Sequence, residues 1–241
     1  MGKFISKVGR LLGRAMIIGL SGLMVACGSN TTTSAVKNAI FGVRGNLLNP
    51  EQVKIHGDSI IQAKLGKQKA ILEKRLQSGD VIFWQGIGAT LATRNGRVVQ
   101  LTGTEVELRR TSFSSPDPLG LVKNLNGAGL TRKLDYMPKY FYDIEAKSKF
   151  IVSGRQNISV LGFKKNLLKV YETVIFKNFN QKHTNVYWLD PNTLKVWKSK
   201  QYYAPHAKPI VLEQVHFSSN VLPAAPQTPQ VLGPAAKTEV L

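Results

Sequence analysis

The stretch Ala89-Thr-Leu-Ala-Thr-Arg-Asn-Gly-Arg-Val-Val-Gln-Leu-Thr102 decides the fold class of this chain. Asn and Gly both tolerate positive φ, so Asn95-Gly96 predicts a two-residue turn between two antiparallel strands. Pairing Arg94 with Arg97 then sets the register. Because side chains alternate along a strand, this register predicts two faces: Leu91 and Val98 on one, and Ala92, Val99 and Leu101 on the other.

A second hairpin is predicted around Asp190-Pro-Asn-Thr193, where proline presets φ and the Asp side chain can accept hydrogen bonds from nearby amides. Its strands are Val186–Leu189 and Leu194–Tyr202. Pairing Leu189 with Leu194 gives the register. That register brings two further pairs opposite each other: Tyr187 with Val196, and Val186 with Trp197.

β-Branched and aromatic residues predict strands in much of the remaining chain. These runs are Asp80–Gln85, Val106–Thr111, Lys149–Ser153, Ile158–Phe163, Leu168–Phe176 and Ile210–Phe217. The stretch Ile60–Leu76 favours two strands over a helix, because Gly66 interrupts its helical pattern. Short helices are expected at Ala35–Phe41 and Leu119–Leu125. The sequence therefore predicts a mainly β fold, a large antiparallel curved sheet or an incomplete barrel or sandwich, with a few short helices.

The first 26 residues have the layout of a secretory signal. Four basic residues precede the uncharged run Ala15–Ala26, which is shorter than the roughly 20 apolar residues of a membrane-spanning helix. Met24-Val-Ala-Cys27 resembles the lipobox of bacterial lipoproteins, in which the cysteine is diacylated and becomes the new N-terminus. Cys27 is the only cysteine of the chain, so lipidation there leaves no thiol for a disulfide, a nucleophile or a metal.

This interpretation divides the chain into four segments. They are a signal peptide (1–26), a lipidated tether (27–46), a single β-rich domain (47–217) and a tail (218–241) whose proline and alanine content predicts disorder. Position 28 is Gly rather than the Asp that retains lipoproteins in the inner membrane in enterobacteria-like sorting. By that resemblance, the protein is expected in the outer membrane, anchored by lipid and facing the periplasm.

The positive net charge of the chain indicates which kinds of ligand it can attract. Without residues 1–26 it has 29 Lys and Arg against 14 Asp and Glu, a net charge of +15. Because an exported protein does not meet nucleic acid, the expected polyanions are lipid phosphates and acidic polysaccharides. Eight lysines lie between Lys164 and Lys200, among aromatic residues whose rings can pack on sugars. The candidate ligand-binding residues are Trp188, Trp197, Tyr202, Lys195, Lys198 and Lys200.

Catalytic and metal-binding patterns are missing from the sequence. None of the four histidines has a second histidine or a carboxylate at a spacing that builds a metal site on one element. There is no nucleophile elbow, P-loop, zinc-protease or dinucleotide-binding motif. The sequence therefore predicts no metal, no cofactor and no catalytic residue.

Several short stretches carry a family resemblance. They are Ala92–Val99, Ser114–Leu119, Arg132–Tyr136, Tyr187–Pro191 and Val196–Ser199. In these stretches the chain resembles the YjbF-type, or group 4 capsule polysaccharide, lipoproteins. The resemblance implies a lipidated, periplasm-facing β protein that works with capsule or exopolysaccharide secretion proteins and has no established catalytic residue.

These observations favour a non-enzymatic outer-membrane lipoprotein that assists polysaccharide export by binding an acidic polymer or a secretion protein. Two alternatives stay open at this point. A carrier for lipid or lipoprotein would need an apolar concavity in the curved sheet. A glycan-processing enzyme would need a cleft with two close carboxylates.

Overall fold

The computed structural model describes residues 48, 50–121 and 125–217. This part of the chain forms one α-helix, three 3-10 turns and twelve strands. The helix is α1 (Pro50–His56), and the 3-10 turns are Gly57–Ser59, Pro118–Gly120 and Lys177–Phe179. The strands are β1 (Ile60–Leu65), β2 (Gln68–Ser78), β3 (Val81–Gly86), β4 (Ala89–Arg94), β5 (Arg97–Thr102), β6 (Glu107–Phe113), β7 (Gly129–Met137), β8 (Phe141–Val160), β9 (Phe163–Phe176), β10 (Gln181–Leu189), β11 (Val196–Gln201) and β12 (Ile210–Glu213).

The sheet closes on itself. Each strand is antiparallel to the next one in the chain, and β1 also pairs with β12, with Leu65 opposite Ile210. Closure leaves no free sheet edge between β1 and β12. The predicted mainly β, antiparallel, curved fold is therefore confirmed, and the curvature continues until the barrel is complete.

The hairpin at Asn95-Gly96 forms as predicted, with Arg94 opposite Arg97 and positive φ at both turn residues. The predicted register holds for Arg94–Arg97 and Thr93–Val98, but the predicted assignment of side chains to the two faces of the hairpin was wrong beyond these pairs. The pairing shifts between Ala92 and Thr93, so that Val99 becomes an extra residue and Leu91 lies opposite Leu101. This bulge turns Leu101 into the same interior as Leu91 and Val98.

The predicted register of the second hairpin was wrong. Leu189 pairs with Val196 rather than Leu194, and Tyr187 lies opposite Ser199. The loop is longer than predicted because the Asp190 carbonyl accepts a hydrogen bond from the Leu194 amide, with Leu194 at a φ of 57°. The Asp190 carboxylate also accepts hydrogen bonds from the amides of Asn192 and Thr193, as its predicted turn role requires.

Other local predictions had mixed outcomes. Ile60–Leu76 does form two strands, β1 and most of β2, whereas strand β7 was not predicted. Where a helix was expected at Leu119–Leu125, the described residues form only the 3-10 turn Pro118–Gly120. The expected helix at Ala35–Phe41, the signal peptide with Cys27, and the tail 218–241 lie outside the described residues.

Apolar side chains fill the barrel from both ends. One cluster of interior residues includes Trp84, Leu101 and Phe176, and a second includes Phe150, Leu189 and Leu119, the last from the loop between β6 and β7. A third cluster lies outside the sheet, where α1 packs Val53 against β8, β9 and β11. No helix in the described ranges combines the length and the hydropathy that a membrane-spanning helix needs.

Candidate functional site

A fully buried ion network separates the two interior apolar clusters. Arg97, the first residue of β5, donates from Nε to Asp117 Oδ2 at 2.5 Å and from Nη2 to Asp117 Oδ1 at 3.1 Å. Its Nη1 donates to both carboxylate oxygens of Glu172 on β9, at 2.9 and 2.8 Å. The Arg97 side chain is 1% exposed and those of Asp117 and Glu172 are 2% and 0% exposed, so water does not screen these interactions.

Further donors complete the shell around Glu172. Arg132 Nη2 on β7 donates to Glu172 Oε1 at 3.1 Å, and the Tyr187 hydroxyl and Asn185 Nδ2 donate to Oε2 at 2.8 and 2.9 Å. Burial alone would raise the pKa of Glu172, but the positive charges of Arg97 and Arg132 hold it far below its usual range. Glu172 is therefore ionised and cannot serve as an acid or a base near neutral pH.

The network joins parts of the chain that carry the family resemblance. Arg97, Asp117, Arg132 and Tyr187 each come from a different one of the resembling stretches. Asp117 also accepts a hydrogen bond from the Leu119 amide, which fixes the β6–β7 loop over the interior. These residues therefore position the strands and the loop. They are buried, so a ligand in solution cannot reach them.

A basic and aromatic surface lies on the outside of β9, β10 and β11. We call it the basic outer face, and it consists of Lys169, Tyr171, Trp188, Lys198 and Lys200. Strand alternation points these side chains outward, since their neighbours Val170, Tyr187 and Ser199 are buried. Lys169 lies opposite Trp188, which in turn lies opposite Lys198.

Electrostatic contacts order this face. Lys169 Nζ lies 5.0 Å from the ring centre of Tyr171 and 5.8 Å from that of Trp188, within the range of cation–π attraction. The Trp188 indole donates to Gln156 Oε1 at 3.0 Å, which fixes the ring on the sheet. Lys198 is paired with Glu213 at 2.5 Å, whereas Lys200 is exposed and has no acidic partner among the described residues.

The structure brings together only part of the predicted ligand-binding set. Trp188, Lys198 and Lys200 are neighbours on the basic outer face. Trp197 is only 3% exposed, because a bulge in β11 directs it under α1, where Lys165 Nζ covers its ring at 4.6 Å. Tyr202 stacks on His183 at 4.3 Å, and Lys195 lies in the loop before β11.

Sequence reasoning missed Lys169 and Tyr171. Both lie in the run Leu168–Phe176, where they alternate with the buried residues Val170 and Glu172. That alternation was a usable signal that they share one exposed face. Their proximity to Trp188 depends on the register between β9 and β10, which no local motif specifies.

The two alternative functions, a lipid or lipoprotein carrier and a glycan-processing enzyme, require an apolar concavity and a cleft with two close carboxylates, respectively. The interior that would serve a lipid carrier is occupied by packed side chains, with Leu119 and Leu125 of the β6–β7 loop closing one end over Phe150 and Leu189. The carboxylates of Asp117 and Glu172 both bind Arg97, and together with Arg132 this gives two positive charges for two negative ones. The described residues contain no group of three or more His, Cys, Asp or Glu that could hold a metal ion.

Comparison with known proteins gives both a family and a fold. The sequence model of the family described as "Group 4 capsule polysaccharide lipoprotein gfcB, YjbF" matches residues 33–215. The crystal structure of the lipoprotein YmcC from Escherichia coli is similar, with a TM-score of 0.64, 19% identity, and coverage of 76% of this chain and 93% of YmcC. An exported protein with a YmcC-like fold from Bacteroides fragilis aligns at a TM-score of 0.31 and 9% identity, covering 66% of this chain and 95% of its own. No functionally curated protein matches the chain.

Proposed function

Because the chain belongs to the YjbF family of group 4 capsule polysaccharide lipoproteins, we propose that it assists the export of an acidic capsular or extracellular polysaccharide by binding it without catalysis. The observation that carries this proposal is the basic outer face, where Lys169 and Lys198 flank Trp188 and Lys200 lies two residues beyond Lys198 on the same side of β11. Carboxylate or phosphate groups on the polymer would pair with the ammonium groups of Lys169 and Lys200, and with that of Lys198 in exchange for Glu213. The exposed part of the indole would pack against a sugar ring.

Binding of this kind is weak at each contact and depends on many contacts. Exposed ion pairs contribute only about 0–1 kcal/mol each and are screened by salt. A polymer crossing the face would meet Lys169, Trp188 and Lys200 on three successive strands. The face therefore suits a repeating anionic chain that must be held and then released.

The proposed setting is the periplasmic side of the outer membrane. A diacylated Cys27 would hold the protein at the membrane surface, since each buried methylene contributes about 0.8 kcal/mol. The tether 27–46 would then connect the lipid to the domain, whose first helix begins at Pro50. Polysaccharide-secretion proteins are the partners that this setting provides.

Polymer binding tests the proposal directly. The mature protein, purified from membranes in detergent, is mixed with polygalacturonate or with uncharged dextran, and binding is measured by co-sedimentation. We expect binding to polygalacturonate only, and its loss in the double variant Lys198→Gln/Lys200→Gln. Lys133→Gln on β7 is the matched control, because Lys133 is also an exposed strand lysine. Equal binding by the double variant and the wild type would refute the proposed surface.

A further inference from the structure

The β8–β9 hairpin projects beyond the barrel wall. Strand β8 pairs with β7 only as far as Lys149, and β9 pairs with β10 only from Leu168 onward. Residues 155–167 therefore contain two strand segments that are paired with each other and with no third strand. We call this segment the projecting hairpin.

The two faces of the projecting hairpin differ in chemistry. One face carries Val160 and Leu167, which are buried against Val53 of α1 and hold the hairpin in place. The opposite face carries only polar side chains that are exposed: Arg155, Asn157, Ser159, Lys164 and Asn166. Because the apolar face is already fixed by packing, the polar face is a rigid surface and not a loose loop.

A concavity of about 540 Å³ lies at this hairpin, lined by Asn157, Ile158, Ser159, Lys164, Lys165 and Asn166. Its volume falls within the roughly 300–1,000 Å³ of small-molecule sites. Asn166 Nδ2 donates to Asn157 Oδ1 at 2.6 Å, which orients both amides. The Asn157 amino group and the Asn166 carbonyl oxygen stay available to a ligand.

The lining groups fit one class of ligand. Amide and hydroxyl groups that alternate as donors and acceptors match the hydroxyls of a sugar, and the ammonium group of Lys164, with no carboxylate in the lining, favours an anion. Among the described residues, the side chains of Ser159 and Lys164 have no hydrogen-bond or ion-pair partner. The concavity therefore concentrates unused donors around a positive charge.

We propose that the projecting hairpin is a binding site for acidic sugar units, separate from the basic outer face, and this inference rests on the proposed function. The two surfaces are connected, because Gln156 at the base of the hairpin accepts the Trp188 indole hydrogen bond. Gln156, Lys165 and Lys169 all lie on the outer side of the sheet, opposite to the polar face that carries Asn157 and Lys164. A polymer leaving the basic outer face would pass around the unpaired edge of the hairpin to the polar face, which binds a short segment of it.

Calorimetric titration of the detergent-solubilised mature protein tests this site. The ligands are short oligogalacturonates and, as an uncharged control, maltotriose. We expect wild type to bind the acidic oligomer and not maltotriose. The double variant Lys164→Gln/Asn166→Ala should lose affinity by about tenfold or more, since a charge-assisted hydrogen bond and an amide contact are removed. Lys133→Gln should bind as wild type does, and thermal unfolding of each variant checks that these exposed substitutions leave the fold intact.

The outcomes separate the two claims. If wild type binds polygalacturonate, but the hairpin variant binds the short oligomer as tightly as wild type does, the hairpin site is refuted and the proposed function stands. If wild type binds the polymer but not the short oligomer, the hairpin site is likewise refuted and the proposed function still stands. If wild type binds neither the polymer nor the oligomer, the proposed function fails and this inference fails with it.

Discussion

Arg97 and Glu172 are 75 positions apart in the chain, yet Arg97 Nη1 lies 2.8 Å from Glu172 Oε2 in the centre of the barrel. Removing two charges from water is costly, and a buried pair is kept only when further hydrogen bonds satisfy both partners. Here Asp117 accepts hydrogen bonds from the part of the Arg97 guanidinium that does not bind Glu172. The remaining hydrogen bonds to the Glu172 carboxylate come from Arg132, Tyr187 and Asn185. The barrel is thus organised around one neutral set of two arginines and two carboxylates.

Removing the Glu172 charge should destabilise the fold strongly. Glu172→Gln leaves Arg97 and Arg132 buried with Asp117 as their one compensating charge, and breaking a buried pair in this way costs about 3–5 kcal/mol. Denaturant unfolding should show this loss in the free energy of unfolding. Glu73→Gln, at an exposed strand position, is the matched control and should change it by less than about 0.5 kcal/mol. A Glu172→Gln protein as stable as the control would contradict this role.

Stability should also fall in acid. The pKa of Glu172 is held far below its ordinary value of 4.5 in the folded protein, because Arg97 and Arg132 outweigh the effect of burial. Its contribution is therefore present above the unfolded-state pKa and is lost as pH falls from about 5 toward the folded pKa. Asp135, whose hydrogen bond from Arg110 lowers its pKa, acts with the same sign.

Unfolding free energies measured between pH 6 and pH 3 test the acid effect. We expect a decline in wild type and a shallower decline in Glu172→Gln, because the variant no longer takes up a proton at position 172 on unfolding. Parallel pH profiles for the two proteins would show that Glu172 is not the group responsible.

The β6–β7 loop should depend on Asp117. This carboxylate binds Arg97 and accepts a hydrogen bond from the Leu119 amide, so it connects the loop to the barrel wall. In Asp117→Asn, hydrogen exchange of the amides of residues 119–121 should accelerate more than exchange in β9, because the loop opens locally while the sheet persists. Equal acceleration in both regions would instead indicate loss of global stability alone.

Lipidation at Cys27 remains a prediction from the sequence. Mass spectrometry of the mature N-terminus should find a lipidated cysteine at position 27, and the protein should fractionate with outer membranes. Cys27→Ser should remove the protein from the membrane fraction, because a single diacylated residue supplies the proposed anchor. A mature protein that retains Met1, or an unmodified thiol at position 27, would contradict the proposed location.

The parts of the fold that depend on local chemistry could be predicted from the sequence. Asn95-Gly96 fixes its own turn, and the register at Arg94 and Arg97 follows from it. The bulges at Val99 and Trp197 could not be predicted, since nothing in their neighbours requires an extra residue. Pairing of β1 with β12 joins residues about 150 positions apart, beyond any periodicity of the sequence.

The site was predictable to a similar degree. Trp188, Lys198 and Lys200 were identified from composition, because aromatic and basic residues alternate in one short region. Trp197 belongs to the same pattern, but its bulge turns it under α1. Glu172 looked like any other acid in a basic stretch, since its two charged partners, Arg97 and Arg132, lie in distant strands.

The emission of Trp188 gives the most direct measurement of polymer binding. Trp84 and Trp197 are 1% and 3% exposed, so a change in the emission of the partly exposed Trp188 reports contact at the basic outer face. Titration with polygalacturonate should change the emission to saturation in dilute buffer. The change should largely vanish near 1 M salt, where screening acts beyond roughly 3 Å. Emission that does not respond to the polymer, or a response that is insensitive to salt, would contradict the proposal that this face binds an acidic polysaccharide.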